Sequence, residues 1–317
     1  MILVTVSFWG MSLTRALGFV AVPLLAAGLA GCATTPATRT AAADSSVVSV
    51  VAVENFWGSL AAQLGGAHAK VTSVIVNPDA DPHDYEPTAA DGRMLASARL
   101  VIVNGVGYDA WAGKLVAANE SSVRTVLDVG DLVGAKDGDN PHRWYDPDDV
   151  RQVIDRITVD YKAADPADAA YFDARHDTVV NASLKPYFDL IAQIKARYSG
   201  TPVGASESIF AMLAPALGLD LITPSSFLTA ISEGGDPTAK DKSTIDAQLK
   251  NKQIKVYVYN SQNATPDVQA QVNAAKAAGI PVGTITETLV PAGASFQDWQ
   301  VAQLAALQRA LAESAGT

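Results

Sequence analysis

Short apolar runs alternate with helix-forming stretches along almost the whole chain, and this alternation restricts the fold more than any other feature of the sequence. Val47–Val53, which is apolar except for Ser49, and Leu100–Val103 are two such runs. A short run that is apolar throughout is typical of a strand buried on both faces, as in parallel sheets. Because parallel neighbours need a crossover connection, strands separated by helices favour parallel pairing. The pattern predicts an α/β protein with mainly parallel sheets.

A long helical stretch in the middle of the chain divides this alternation in two. Residues 166–198 read as one helix, far longer than the mean of about 11–12 residues, and Pro186 is the point where it would bend. Strand and helix patterns occupy residues 47–163 before it and 200–317 after it. We therefore expect two α/β lobes joined by a single long helix over residues 164–199.

The amino-terminal segment has the features of a bacterial export signal. From Met11 it reads MSLTRALGFVAVPLLAAGLAGC, in which Arg15 precedes an apolar run that ends in small residues and Cys32. This run is shorter than the roughly 20 residues that a transmembrane helix needs, and no basic flank follows it directly. The pattern predicts a signal peptide over residues 1–31 and a lipid on Cys32, and it favours Met11 over Met1 as the start of translation.

Composition agrees with an exported, folded protein. Residues 32–46 are mostly small and polar, which fits a flexible tether. The chain is 49% apolar, which indicates a folded core, and its formal net charge of −10 gives no basic surface for nucleic acid. Cys32 is the one cysteine of the sequence, so we expect neither a disulfide nor a thiolate metal site.

Two of the four histidines lie in loops bracketed by prolines. His83 lies in DPHDYEP after a predicted strand, and His142 lies in NPHRWYDP before a predicted helix. The prolines restrict the backbone, and a rigid backbone suits a metal ligand. One Pro-His pair is common by chance, but two such loops favour metal ligation over two ordinary surface histidines. His68 and His176 have no candidate ligand at suitable spacing in the sequence and are assigned no role.

These motifs carry a resemblance to a known family. The stretch Val74–Trp111, which contains DPHDYEPTAADGRMLASARLVIVNGVGYDAW, resembles the first-ligand region of the zinc/manganese ABC-importer substrate-binding proteins (cluster A-I, solute-binding family 9). NPHRWYDP resembles the second histidine motif of that family, and the resemblance extends over about residues 50–312. It implies two further metal ligands, Glu207 in VGASESIFAMLAPALGLD and Glu287 in IPVGTITETLVPAG, where the family usually has aspartate. It also implies that the metal lies in the cleft between the lobes.

Each implied carboxylate also has a simpler interpretation. Glu207 could complement the dipole of a following helix from its first turn, and Glu287 could be a solvated loop carboxylate. If both ligate with His83 and His142, the nitrogen and oxygen donors suit Zn²⁺ or Mn²⁺ and argue against Cu(I). The segment GAKDGDN before His142 lacks the histidines of many zinc-specific members, so zinc and manganese remain level. Because imidazole must be neutral to ligate, binding should weaken as the pH falls through about 6–6.5.

The resemblance implies a transport component and not an enzyme. We expect a monomer, held at the outer face of the bacterial cytoplasmic membrane by the lipid on Cys32. It would capture Zn²⁺ or Mn²⁺ and deliver the ion to the permease of an ABC importer. The alternatives are a zinc-dependent hydrolase that uses His83, His142 and a glutamate, and a metal-binding adhesin. The sequence has neither H-E-x-x-H nor G-x-S-x-G, which disfavours the hydrolase.

Overall fold

The computed structural model describes residues 47–77, 85–263 and 265–316. His83 and Cys32 lie outside these residues. The strands are β1 (Val48–Glu54), β2 (Ala69–Ile75), β3 (Leu100–Val103), β4 (Thr125–Asp128), β5 (Pro202–Ala205), β6 (Asp220–Leu221), β7 (Val256–Asn260) and β8 (Val282–Ile285). The α-helices are α1 (Asn55–Gly65), α2 (Ala89–Ser97), α3 (Ala110–Ala117), α4 (Val129–Val133), α5 (Pro147–Ala164), α6 (Ala169–Thr178), α7 (Lys185–Tyr198), α8 (Ile209–Leu213), α9 (Ser225–Ser232), α10 (Ala239–Lys250), α11 (Pro266–Ala277) and α12 (Phe296–Ala315).

The strands form two four-stranded sheets with the same topology. The order is β2-β1-β3-β4 in the first sheet and β6-β5-β7-β8 in the second, and every pairing is parallel. The predicted α/β architecture is therefore confirmed. In each sheet the chain leaves the first strand to one side and later returns to its other side, so the order reverses between β1 and β3 and between β5 and β7. Crevices for ligands form at the carboxyl ends of strands at such reversal points.

The first sheet is covered on both faces, as the apolar run of β1 predicts. Val50 and Ala52 pack into the main hydrophobic core, and Val51 and Val53 pack into a second apolar cluster on the opposite face. Alternate side chains of a strand point to opposite faces, so a strand buried on both sides needs apolar residues throughout. The edge strand β2 alternates between more and less exposed positions over much of its length.

The predicted single long helix is interrupted. A short 3₁₀ helix precedes α6, and a π-helical segment, Val179–Ser183, separates α6 from α7. The backbone N–H of Leu184 donates to the carbonyl of Val179 at 2.9 Å, which is the wider π-type bond. Pro186 lies in the first turn of α7, where its missing N–H is tolerated. The break thus occurs beside the proline at which the sequence predicts a bend.

Three short helices were not predicted from the sequence: α3, α4 and α9. Each has eight or fewer residues, too short for a clear 3.6-residue pattern.

Among the described residues, no helix is long and apolar enough to cross a membrane. The two sheets lie on either side of residues 166–198 in the sequence. We propose on this basis that the first lobe spans residues 47–163 and the second lobe spans residues 200–317.

Hydrogen bonds connect the half of the chain that holds the first sheet to the half that holds the second. The hydroxyl of Tyr145 donates to the carbonyl of Thr286 at 2.9 Å. The backbone N–H of Phe296, at the start of α12, donates to Ser59 Oγ of α1 at 2.9 Å. Tyr145 is fully buried. These contacts fix the carboxyl end of the second sheet relative to the first.

Candidate metal site

His142 lies at the end of a loop that is tied to the first sheet. Asn104, directly after β3, donates from Nδ2 to the carbonyl of Pro141 at 2.8 Å, and Trp57 Nε1 donates to Asn104 Oδ1 at 3.1 Å. The His142 ring packs edge-on against Trp144, with 5.3 Å between ring centroids, and the residue is fully buried. Burial shows that His142 is not a surface loop histidine.

The side chain of Asn140 determines which ring nitrogen of His142 carries the proton. Asn140 Nδ2 donates to the carbonyl of Ser208 at 2.6 Å, so its Oδ1 must face the histidine. Oδ1 accepts from the His142 backbone N–H at 3.1 Å and lies 2.7 Å from Nδ1. Because an amide oxygen only accepts, Nδ1 holds the hydrogen and Nε2 carries the lone pair. This is the tautomer that a metal ion needs at Nε2.

Glu287 follows β8 and turns its carboxylate towards the first lobe. Its Oε1 lies 3.4 Å from His142 Nε2 and accepts from Asn260 Nδ2 at 2.9 Å. Its Oε2 accepts from the hydroxyl of Tyr108 at 3.1 Å. Glu287 is only 1% exposed. The solvated loop carboxylate considered for this residue is therefore excluded.

Glu207 lies in the turn after β5 and is also only 1% exposed. Asn263 Nδ2 donates to its Oε2 at 2.8 Å. Its Oε1 is buried and has no hydrogen-bond partner among the described residues. Burial, and then the neighbouring carboxylate of Glu287, raise its pKa to about 8, although His142 acts in the opposite direction. A buried carboxyl beside a second carboxylate costs free energy that a cation would offset.

A second buried carboxyl pair supports the loop that carries Tyr108. Asp109 accepts from the backbone N–H groups of Asn104 at 2.7 Å and of Gly105 at 2.8 Å. Burial raises the pKa of Asp109 to about 6, and burial and Asp109 raise the pKa of the fully buried Glu54 well above its usual range. Burial therefore favours the neutral form of Glu54. Asp109 holds the turn that follows β3 through its two backbone hydrogen bonds.

The four predicted ligands can be compared with these positions one by one. His142, Glu207 and Glu287 are all buried at the carboxyl ends of the two sheets. His142 and Glu287 are in contact, and Glu207 is close enough for both to affect its pKa. His83 is not among the described residues. Tyr85, two positions after it, donates from its hydroxyl to Asp91 at 2.9 Å and packs on Trp111.

The supporting amides were missed by sequence reasoning. Asn140, Asn260 and Asn263 contact His142, Glu287 and Glu207 respectively. Only Asn140 had a local signal, because an Asn two residues before a histidine can accept from that residue's backbone N–H. Asn260 and Asn263 become neighbours of the glutamates only through the order of the strands.

The two remaining histidines have partners that sequence spacing did not reveal. His68 Nδ1 lies 2.6 Å from Asp168 Oδ2, and His176 Nε2 lies 2.7 Å from Asp155 Oδ1. Both aspartates are distant from these histidines in the sequence, so sequence spacing could not indicate them.

A cavity of about 400 Å³ opens beside the site. Its lining includes Tyr108, Asn140, Ser208 and Ser232. The first three contact the candidate ligands or their supporting groups. The cavity is therefore bordered by groups that contact His142 and Glu287.

Two lipoproteins of other bacteria are similar to this chain in sequence. The chain is 27% identical over 181 residues to the manganese-binding lipoprotein MntA of Halalkalibacterium halodurans, which covers 51% of this chain and 59% of that relative. It is 26% identical over 273 residues to the metal ABC transporter substrate-binding lipoprotein SsaB of Streptococcus sanguinis, covering 80% and 84% of the two chains. The match to MntA thus spans less than two thirds of that relative's length.

A solved structure shares the fold. The Mn-bound periplasmic metal binding protein from Candidatus Liberibacter asiaticus superimposes with a TM-score of 0.67 at 18% sequence identity. The alignment covers 83% of this chain and 99% of that chain. At this level of identity the likeness shows a common fold.

The profile of the family described as zinc-uptake complex component A, periplasmic, matches residues 50–310. The relatives are metal-binding, substrate-binding lipoproteins of ABC transporters, and the family is not one of enzymes. The chain therefore belongs to the zinc-uptake component A family of ABC-importer substrate-binding proteins.

Proposed function

We propose that this protein captures Zn²⁺ or Mn²⁺ with His83, His142, Glu207 and Glu287 and delivers the ion to the permease of an ABC importer. The main support is the approach of His142 Nε2 to Glu287 Oε1 at 3.4 Å inside a buried cleft. Two ligand atoms bonded tetrahedrally to one ion at about 2.0–2.2 Å lie about 3.3–3.5 Å apart. The separation therefore suits a shared ion with little rearrangement.

The charge distribution also supports a cation as the cargo. Glu207 and Glu287 bring two carboxyl groups into a site with almost no access to water. One buried oxygen of Glu207 has no hydrogen-bond partner within the described part of the chain. A divalent ion would offset the desolvation of both groups and use the orphaned oxygen.

The donor set restricts the ion without choosing between the two candidates. Imidazole and carboxylate donors without sulfur suit Zn²⁺ and Mn²⁺. The family description names zinc, and MntA is named for manganese. A glutamate at 287 that binds through both oxygens would raise the coordination number and favour Mn²⁺. One-oxygen binding would favour Zn²⁺.

We further propose that the protein is a monomer attached to the outer face of the cytoplasmic membrane through a lipid on Cys32. The support is the apolar segment that ends at Cys32 and the lipoprotein character of the relatives. Replacement of Cys32 by Ser should release the protein from the membrane fraction and reduce uptake of the cargo ion by the cells. Uptake unchanged in cells that release the protein would contradict delivery from an anchored state.

The metal assignment is tested by elemental analysis of protein purified without added metal. Wild type should retain about one tightly held equivalent of Zn²⁺ or Mn²⁺, which identifies the ion. His142→Ala and Glu287→Gln should each lose it, whereas His176→Gln, which changes a histidine elsewhere, should not. Full retention of metal by the His142→Ala and Glu287→Gln variants would overturn the assignment.

A further inference from the structure

A histidine and two aspartates converge near the start of β2. The candidate site lies at the other end of the sheet, where the strands finish. His68 ends a 3₁₀ helix just before β2, whereas the candidate site lies at the carboxyl ends of the strands. Asp165 and Asp168 lie in the turn that joins α5 to α6. One ring nitrogen of His68 and one carboxylate oxygen of each aspartate lie within 4.8 Å of one another.

The His68 ring is held in place before any ion binds. Its Nδ1 lies 2.6 Å from Asp168 Oδ2. The ring packs against Tyr171 with 4.1 Å between ring centroids, and the Tyr171 hydroxyl accepts from the backbone N–H of Ala67 at 3.0 Å. A ligand that is already oriented loses little conformational freedom when it binds a metal.

Asp165 is the feature that an ion pair between His68 and Asp168 does not explain. It is only 8% exposed, and its Oδ2 is buried without a hydrogen-bond partner among the described residues. A carboxylate oxygen removed from water in this way is costly unless a proton, a donor or a cation accompanies it. Because Asp165 lies beside two other candidate ligands, His68 and Asp168, its position favours a cation.

We propose that His68, Asp165 and Asp168 form a second divalent-cation site. One imidazole and two carboxylates give a nitrogen–oxygen donor set that suits Zn²⁺ and related transition ions. Three protein ligands leave at least one coordination position for water. The side chains of His68 and Asp168 are 25% and 26% exposed, so the ion is accessible from solution. This proposal does not depend on the function proposed for the cleft.

In the tautomer with hydrogen on Nδ1, His68 donates that hydrogen to Asp168, and an ion bound at Nδ1 would replace it. If Nδ1 ligates, the remaining ring proton is carried by Nε2. The two ligand atoms, now 2.6 Å apart, must also separate to about 3.3–3.5 Å around an ion with bonds of about 2.0–2.2 Å. Fewer protein ligands and partial exposure predict weaker binding and faster exchange than in the buried cleft.

The test is the Zn²⁺ stoichiometry of the purified, metal-stripped protein, measured by equilibrium dialysis with elemental analysis. Wild type should bind two ions per chain at saturation. Asp168→Asn and His68→Gln should each remove one ion and leave the tighter one. His176→Gln is the matched control, because His176 also pairs with an aspartate at 2.7 Å but is not part of a cluster of three candidate ligands among the described residues. It should leave both ions bound.

A second background separates this proposal from the one for the cleft. The His142→Ala protein should bind one ion, and adding Asp168→Asn should abolish that binding. One ion in wild type that Asp168→Asn does not affect, or two ions that persist in a correctly folded Asp168→Asn protein, would overturn the second site. Thermal unfolding of each variant establishes that it is folded.

Discussion

His142 Nε2 lies 3.4 Å from Glu287 Oε1, although the first residue belongs to a loop on the first sheet and the second follows the last strand of the second sheet. Hydrogen bonds from neighbouring residues hold each side chain in this position. Asn104 holds the loop of His142 through Pro141, and Asn260 and Tyr108 hold the two oxygens of Glu287. The site therefore depends on how the two lobes pack, and its properties can be tested through the residues that hold it.

Metal affinity should begin to fall at a higher pH than histidine alone predicts. The pKa of Glu207 in the metal-free protein is raised to about 8 by burial and by Glu287. Below that pH the ion must displace a proton from Glu207, which costs about a factor of ten in affinity per pH unit. Titrations between pH 6 and 9 should show this slope in wild type and a smaller one in Glu207→Gln. The variant should also bind more weakly at pH 9, because it lacks one of the four proposed ligands. Equal slopes in the two proteins would show that Glu207 does not take part.

The stability of the metal-free protein should fall as the pH rises from about 4.5 to about 8. The folded protein holds the Glu207 proton up to about pH 8, whereas the unfolded chain releases it near the ordinary value of 4.5. The stabilisation is complete below about pH 4.5 and is lost as the pH rises through 8, by up to about 1.4 kcal/mol per pH unit. Denaturant unfolding of metal-free wild type and Glu207→Gln should show the wild-type loss and its absence in the variant. Parallel stability profiles would contradict the raised pKa.

Asn140 should control affinity without being a ligand. Asn140→Ala removes the acceptor that keeps the proton on His142 Nδ1, so metal affinity should fall about 10–100-fold. Asn140→Asp keeps an acceptor and should bind more tightly than Asn140→Ala. Asn119→Ala, at an exposed position, is the control for loss of an amide. Calorimetric titration of the four proteins would measure the effect. Equal affinity of Asn140→Ala and wild type would exclude a positioning role.

Two buried tyrosines should respond differently to removal of the hydroxyl. Tyr145 donates to the carbonyl of Thr286 across the lobes, and Tyr145→Phe should lower the free energy of unfolding by about 1–2 kcal/mol. The Tyr187 hydroxyl is buried without a hydrogen-bond partner among the described residues. Tyr187→Phe should therefore be neutral or stabilising, because it removes an unsatisfied polar group. Chemical denaturation compares them directly. A larger loss in Tyr187→Phe than in Tyr145→Phe would contradict the hydrogen-bond assignment.

The sequence by itself determined the class of fold and one part of the site. The apolar runs of β1 and β3 report burial on both faces, which is a local property, and parallel sheets follow from the helices between strands. The prolines on either side of His142 are also a local feature, and they predicted a rigid loop. Pro186 marked the break near α7, although the π-helical form of that break followed only from the structure.

Contacts between residues distant in the chain were decided by the tertiary structure alone. Strand order brings Asn260 to Glu287, and lobe packing brings Glu287 to His142. The turn between α5 and α6 brings Asp165 and Asp168 to His68. Local sequence patterns report period and burial, but they carry no distance between separate elements. The burial that raises the pKa of Glu207 to about 8 is likewise a property of the packed lobes, because the same carboxyl titrates near 4.5 in an open chain.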